Sequence, residues 1–451
     1  MGGGRRGGRR PRGDALVTTF VPRPATAAPP ADGGPGAPRA CIVDALSTGA
    51  ALGSALRDAS WELVHVASGR EVAGSLAASY RPDDFALSLG LRDQSLDEIT
   101  AALRAFAPSV VVAGTESGTP LADELADRLG LPGNDPATSG QRRDKHAMAR
   151  ALAAAGLPHA REEHAVSPAH AVAAATSLGA WPVVVKPLDA AGSEDVRLCH
   201  SARAVAAAFT AIHDKRNLLG LRNRGALVQE FLTGEQFMVN AVSLGGEHRI
   251  TEIWREQRLL VPGAGFVYDW EIMVPYEGEP QRALVAYLRR VLDALGVREG
   301  ASHSELMVTA RGPVLIECAA RLQGGISSSA VTAAIGDSHV TTTMQRYADP
   351  AGFQADIGRG YEIRRTPMVV NLIAHRSGTV RENNCERLLR TLPSFHSVTR
   401  TPAAGDPVAR TVDLLTKTGH IYLLHADVEQ LHADYRQIRE WERSDRLLPL
   451  R

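Results

Sequence analysis

From residue 40 to about residue 130, short apolar runs alternate with amphipathic helical stretches, and this alternation limits the fold more than any other feature of the chain. CIVDAL (41–46), WELVHVA (61–67) and SVVVAG (109–114) read as buried strands. STGAALGSALRDA and TPLADELADRLGLP read as a loop entering a helix and a second helix, and SLDEITAALRAFAP carries a helix start at Ser95 with Glu98 three residues on. Strands that alternate with helices need crossover connections, so the expected product is a parallel sheet with right-handed crossovers. Ser47, Thr48 and Gly49 form an ordinary turn from strand to helix that would also suit a phosphate at a helix N-terminus.

The region before residue 40 is of another kind. Residues 1–39 are Gly, Arg, Pro and Ala with few large apolar side chains, and they hold seven Arg against Asp14 and Asp32, a net of +5. Such a stretch buries too little apolar surface to offset its ordering entropy, so a disordered tail is expected. Its glycine pattern at Gly2, Gly4 and Gly7 follows no strand and opens no amphipathic helix, which excludes a dinucleotide turn. The whole chain of 451 residues is charge-balanced, with 50 basic and 50 acidic residues, so no nucleic acid partner is expected for its body. Cys41, Cys199, Cys318 and Cys385 show no paired spacing, no run approaches a membrane span, and residues 15–21 are too short and polar for a signal core. A cytoplasmic setting without membrane association is the expectation.

Residues 303–325, HSELMVTARGPVLIECAARLQGG, carry the first chemical signal. Two strand-like segments, 306–309 and 313–316, flank the turn at Ala310, Arg311 and Gly312, with Glu305 before the first and Glu317 after the second. Paired as a hairpin, they bring both carboxylates to one end with Arg321 just beyond. Mg²⁺ takes hard oxygen ligands, one or two of them carboxylates and the rest phosphate or water, and Arg offers a planar fork to phosphoryl oxygens. The same residues also describe an ordinary amphipathic hairpin with charged ends.

Lysine is scarce, occurring only at 145, 186, 215 and 417. In a chain that otherwise uses Arg, a Lys hints at a site that wants a compact ammonium. Lys145 lies in the first turn of the helical run RRDKHAMARALAAAGLPHA. Lys186 ends the strand PVVVKP and is followed by the small, flexible loop 188–195, after which VRLC resumes a strand. Strand, lysine, Gly/Ala/Ser loop and strand form a flap able to fold over phosphates through backbone N–H groups, although no P-loop pattern is present. In ALVQEFLTGEQF, residues Glu230, Phe231 and Leu232 sit between elements, where exposed backbone groups suit an adenine edge, and Glu235 faces the same cleft.

The order and spacing of these segments resemble the ATP-grasp superfamily of carboxylate–amine ligases. The likeness runs over roughly residues 40–450 and is carried by RDKHAMARALAAAGLP, WPVVVKPLDAAGSEDVRL, LVQEFLTGEQF and LIECAARLQGG. Within the superfamily the chain looks most like the L-amino-acid ligases that form dipeptides, because of VNLIAHRSGTV and GHIYLLHADVEQLHADY. The resemblance implies an α/β chain with an ATP-grasp fold: the tail 1–39, a Rossmann-like parallel α/β domain at 40–140, the ATP-grasp domain at 141–350, and a small C-terminal α+β unit at 351–451. The flap part of the ATP-grasp domain would cover about 145–229 and the catalytic part about 230–350.

It implies ATP and Mg²⁺ (or Mn²⁺) as cofactors, and small-molecule carboxylate and amine substrates, amino acids among them. Lys145 and Lys186 would contact the nucleotide phosphates, and Gly192 and Ser193 would lie in the flap above them. Glu230 and Leu232 would meet the adenine and Glu235 the ribose. Glu305 and Glu317 would hold the metal, and Arg321 would grip the acyl phosphate. Where the superfamily has E-x-N-x-R, this chain has Glu317, Cys318, Ala319, Ala320 and Arg321, so Ala319 removes one oxygen ligand. The loop 263–275 falls where such ligases recognise the first amino acid, which nominates Asp269 and Glu271 for its ammonium. Gly325, with Gly324 and Ile326, implies a roomy pocket and a large or unusual acyl donor. A homodimer is one assembly in keeping with this group. The competing readings are another ATP-grasp ligase of the carboxylase or purine-synthesis type, and a non-catalytic nucleotide-binding protein whose basic tail touches RNA.

Overall fold

The computed structural model describes residues 17–18 and 36–451, apart from 71, 191, 193, 218–219, 262–264 and 415. The N-terminal alternation folds as Arg39–Val43 (β1), Thr48–Asp58 (α1), Glu62–Ala67 (β2), Leu87–Gly90 (β3), Leu96–Phe106 (α2), Val110–Ala113 (β4) and Thr119–Leu129 (α3). The four strands pair in parallel in the order β3-β2-β1-β4. Each buries both faces, Val64, Val66 and Val111 against Ile99, Leu103 and Leu125, and Ile42 and Leu63 against Leu52, Leu56 and Phe85. The start at Ser95 is a capping box, with Ser95 Oγ accepting from the Glu98 N–H and the Glu98 carboxylate accepting from the Ser95 N–H at 2.7 Å. β3 is a four-residue edge strand, too short to show a period in the sequence.

Of the expected tail, Val17–Thr18 pair antiparallel with Val72–Ala73, while 1–16 and 19–35, including the glycine pattern, lie outside the described residues.

A second layer follows the helix Lys145–Ala154 (α4). Glu162–Ala165 (β5), Pro168–Ser177 (α5), Val183–Lys186 (β6), Arg197–Cys199 (β7), Ala202–Ile212 (α6) and Ala226–Glu230 (β8) build an antiparallel sheet in the order β5-β8-β6-β7. Small and branched residues of the two helices, Ala171, Ala175, Val205 and Phe209 among them, pack on Val183, Val185 and Val228. That covers one face and leaves the other for the pocket described below.

The third layer is an eight-stranded antiparallel sheet. Its strands are Glu235–Leu244 (β9), Glu247–Val261 (β10), Gly265–Met273 (β11), Gly300–Thr309 (β12), Gly312–Ala319 (β13), Thr366–Asn371 (β14), Phe395–Val398 (β15) and His420–His425 (β16), in the order β13-β12-β9-β10-β11-β14-β16-β15. Gln281–Ala294 (α7) lays Leu284, Leu288, Val291 and Leu292 on it beside Met148 and Leu152 of α4. Ser328–Ile335 (α8) and His339–Ala348 (α9) follow the β12–β13 hairpin, and Val428–Arg443 (α10) buries Leu431, Ile438 and Trp441 against the last strands.

The C-terminal strands therefore continue the central sheet through β11, where Trp270 pairs with Val370. This corrects one expectation: Gly265–Met273, within the expected loop 263–275, is a strand, its Val, Tyr, Trp and Ile residues pairing with β10 and, at residues 270–272, also with β14. Among the described residues no helix is long and apolar enough to cross a membrane, and all four cysteines are free and buried.

Candidate active site

The four- and eight-stranded sheets face each other across a cavity of about 650 Å³. Its walls include Lys145, Lys186, Gly192, Glu230, Leu232, Glu235, Glu305 and Glu317, so eight of the residues singled out in the sequence meet in one place. Ser193 lies outside the described residues.

The hairpin supplies the carboxylates. Glu305 of β12 and Glu317 of β13 are direct register partners, which puts them side by side on one face. A bulge at this point, with Leu306 opposite Leu315, leaves Ile316 as the extra residue and aligns Glu317 with Glu305. Glu317 takes an ion pair from Lys145 Nζ at 3.1 Å. Glu305 Oε2 accepts from Gln236 Nε2 and from Arg258 Nη2, each at 3.1 Å. Burial, only partly offset by Arg258, pushes the Glu305 carboxyl up to about 7. Among the described residues no three His, Cys, Asp or Glu side chains form a self-sufficient metal cage. Two adjacent carboxylates are what a Mg²⁺ ion needs when phosphate oxygens and water complete its shell.

The lysines come from the opposite side. Asp144 caps α4, its Oδ1 accepting from the Ala147 N–H at 2.9 Å, and this fixes Lys145 as the first helical residue. Lys145 is tied twice to the flap loop, its N–H donating to Leu188 O at 3.0 Å and its Nζ to Ala190 O at 2.9 Å. Lys186, at the end of β6, donates to Gln229 Oε1 at 2.9 Å. Burial, followed by the charge of Lys145, lowers the Lys186 ammonium to about 8. Gly192 turns the flap at a positive φ of 67° and packs against Leu414 of the C-terminal unit, so a side chain here would meet both strain and contact.

Residues 231–234 link the two sheets without regular structure. Gly234 is required there, because a Cβ would run into the Val308 carbonyl. Glu230 lines the cavity, but its carboxylate is already used: Oε1 accepts from the Arg161 N–H at 2.9 Å and from Arg311 Nη2 at 2.6 Å, and Oε2 from Arg161 Nε at 3.1 Å. Burial alone would raise this carboxyl; those donors outweigh it and hold it below the usual range. Contact between Glu230 and a base therefore falls to its backbone. Glu235 is largely exposed, with Arg255 Nη1 3.9 Å away.

An ATP-grasp domain model matches residues 180–330, which carry Lys186, the linker and the carboxylate hairpin. Dapdiamide A synthase of Enterobacter agglomerans is 30% identical over 355 residues, spanning 78% of this chain and 83% of that protein. The chain belongs to the ATP-grasp ligases. It is an ADP-forming, carbon–nitrogen-joining member of that family. In fold, this ATP-grasp ligase is similar to the L-amino acid ligase from Bacillus licheniformis, with a TM-score of 0.70 at 18% identity over 89% of this chain and 97% of that one. It is also similar to N5-carboxyaminoimidazole synthase from Aspergillus clavatus in complex with ADP and its ribonucleotide, with a TM-score of 0.64 at 14% identity over 90% and 99% of the two chains.

Four nominated residues of the ligase do not line the nucleotide-sized cavity. Arg321 sits at its N-terminal side, Nε donating to Glu116 Oε2 at 3.0 Å and Nη1 to Leu322 O. Gly325 has a φ of 73° and its carbonyl accepts from the Tyr422 hydroxyl. Glu271 is buried opposite Glu256, where Asn371 Nδ2 donates to it at 3.1 Å.

Asp269 is a correction. Its Oδ1 takes Arg439 Nε at 3.0 Å and Nη2 at 2.6 Å, and the Tyr435 hydroxyl donates at 2.9 Å to Oδ2. Arg439 is buried and Tyr435 half-buried, so this carboxylate anchors α10 to β11 and does not line the cavity.

Sequence reasoning missed Glu256 and Arg258 on β10. Glu256 is fully buried, with Oε1 on Arg258 Nε and Oε2 without a partner among the described residues. Arg258 bridges Glu256 to Glu305 and lies 4.4 Å from the Tyr268 ring centroid. The charged residues at alternate positions in ITEIWREQRLL were the available signal.

Proposed function

We propose that this ligase joins a carboxylate to an amine through an acyl phosphate, with amino acids as substrates. The observation that carries the reading is the meeting of Lys145 and Lys186 with the adjacent Glu305 and Glu317 on one cavity beside the irregular linker 231–234. The residues fit ATP and Mg²⁺ (or Mn²⁺): two cationic side chains, two neighbouring hard-oxygen donors, and a cavity of about 650 Å³. When bound, the nucleotide supplies the phosphoryl group that turns a poor electrophile into a good one, and the metal neutralises charge on its phosphates.

Every other part of the work falls to the chain. Lys145 and Lys186 hold phosphate oxygens, and Glu305 and Glu317 ligate the metal. Residues 230–232 receive the base through their backbone, with Leu232 as the apolar contact, and Glu235 stands at the ribose. The flap around Gly192 excludes water, which would otherwise hydrolyse an acyl phosphate. Arg321, four residues beyond Glu317, stabilises the negative charge that develops on the acyl oxygen as the amine adds and phosphate departs. No covalent nucleophile is needed. The relationship to dapdiamide A synthase and the fold likeness to an L-amino acid ligase support amino-acid substrates.

The test is incubation with Mg-ATP and pooled amino acids, with nucleotide products and product masses read together. ADP with a new amide mass is expected. AMP, or ADP release that needs bicarbonate and no amino acid, would overturn the proposal.

A further inference from the structure

The N-terminal parallel sheet presents a second cluster that the nucleotide cavity leaves unused. Strand order β3-β2-β1-β4 puts a switch point between β1 and β4, and open α/β sheets bind ligands outside the carboxyl ends of strands at such a point. Those ends here carry Asp44 to Thr48, Ser68 to Arg70, and Glu116. This edge abuts the segment after the carboxylate hairpin: Thr48 Oγ1 donates to Gln323 O at 2.7 Å, and Arg321 Nε to Glu116 Oε2 at 3.0 Å.

Arg143, from the turn before α4, reaches the same place. It is 8% exposed, and its Nε lies 3.9 Å from Glu116 Oε1, too far for a hydrogen bond. Its Nη2 is buried with no acceptor among the described residues, and the same holds for Arg70 Nη1. The two guanidinium groups lie within electrostatic reach, since Arg70 is lowered by burial and then by the charge of Arg143. The nearby acids Asp44 and Asp189 offset the charge of Arg70 only in part, and among the described residues none reaches the two orphaned N–H groups. Asp44 accepts from Ser68 and Ser117, and Asp189 accepts from Asn217. Buried guanidinium N–H groups without acceptors are unfavourable, and two of them on mutually repelling side chains match a planar anion with two oxygens.

We propose that Arg70 and Arg143 form the subsite for the carboxylate of the amine acceptor. The inference rests on the ligase reading above. The donor's own carboxylate is consumed when the acyl phosphate forms, so when two amino acids are joined the carboxylate that survives is the acceptor's. Glu116 ties Arg143 to Arg321, which places this subsite beside the group that attends the acyl carbon. An amino acid held there by its carboxylate presents its amine toward that carbon.

The probes are the standard amino acids and their C-terminal amides as acceptors, scored by ADP release and product mass with the full-length enzyme and its Arg143→Gln and Arg70→Gln variants. Wild type is expected to favour the acid over the amide of a given acceptor by about tenfold or more, the scale of a charge-assisted hydrogen bond. Either variant is expected to raise KM for the acid by a similar factor and erase the preference, with KM for ATP unchanged. Equal use of acid and amide by the wild type would overturn the subsite while leaving the ligase reading intact. So would a variant that affects acid and amide alike, or that raises KM for ATP or for the donor. No ADP release with any amino acid would instead remove the reading on which it rests.

Discussion

Asp269→Asn separates a structural carboxylate from a substrate-binding one. In the wild type Asp269 and Arg439 are each about 7% exposed at the side chain, and the guanidinium makes two contacts to Oδ1, at 3.0 and 2.6 Å. Burial alone would lower the Arg439 pKa, but Glu442 and then Asp269 reverse this and hold it above its ordinary value. Removing one partner of a buried pair typically destabilises by about 3–5 kcal/mol, because the other charge stays buried. Here Arg439 keeps Glu442 Oε2 at 2.6 Å and Asn371 O at 2.9 Å, so the lower end, about 3 kcal/mol, is expected.

At roughly 2–4 °C per kcal/mol, the midpoint of the transition that reports α10 against β11 should fall by about 6–12 °C. Intrinsic fluorescence serves as the probe, since Trp441 lies in that core and Trp270 packs against it. A double-mutant cycle with Arg439→Met should return a coupling of about 1–3 kcal/mol. KM for amino acids should change little at a temperature where the variant is folded. A variant within about 1 kcal/mol of wild type with KM raised tenfold would refute the structural assignment and return Asp269 to the substrate site.

Two further outcomes follow from the cavity. Glu317→Gln and Glu305→Gln should each lower ADP release by at least about a hundredfold, while circular dichroism and melting stay close to wild type, because the hairpin pairing does not depend on the charges. Unchanged turnover in either variant would remove that residue from the metal site. Lys186 is held at about 8 in the fold, and bound phosphate favours its charged form, so ATP affinity should be flat below pH 8 and fall by up to about tenfold per unit above it. Lys186→Arg should flatten that profile in a calorimetric titration. For stability of the free protein the sign is opposite. The unfolded chain binds this proton more tightly, so the group's contribution rises with pH from about 8 to 10.5 and is complete above both values.

The sequence by itself determined what short-range periodicity and caps encode. Most strands and helices of the N-terminal unit, the helix that carries Lys145, the Lys186 flap and the 303–325 hairpin were legible because apolar spacing, Ser95 and Gly312 act over a few residues. The resemblance to the ATP-grasp superfamily that these segments carry nominated the eight residues that meet on one cavity. What only the tertiary structure decided was which charge each charge serves. Asp269 meets Arg439 across 170 positions, Arg321 meets Glu116 across 205, and Glu230 meets Arg311 across 81. Such pairings depend on the register and order of whole sheets, which no local window contains. β10 makes the same point: Glu256 and Arg258 read as the polar side of an ordinary strand, and they became a buried charge cluster only when the strand took a central place in the eight-stranded sheet beneath the flap. A carboxylate's role is set by the donors that reach it first, and those donors are brought by the fold.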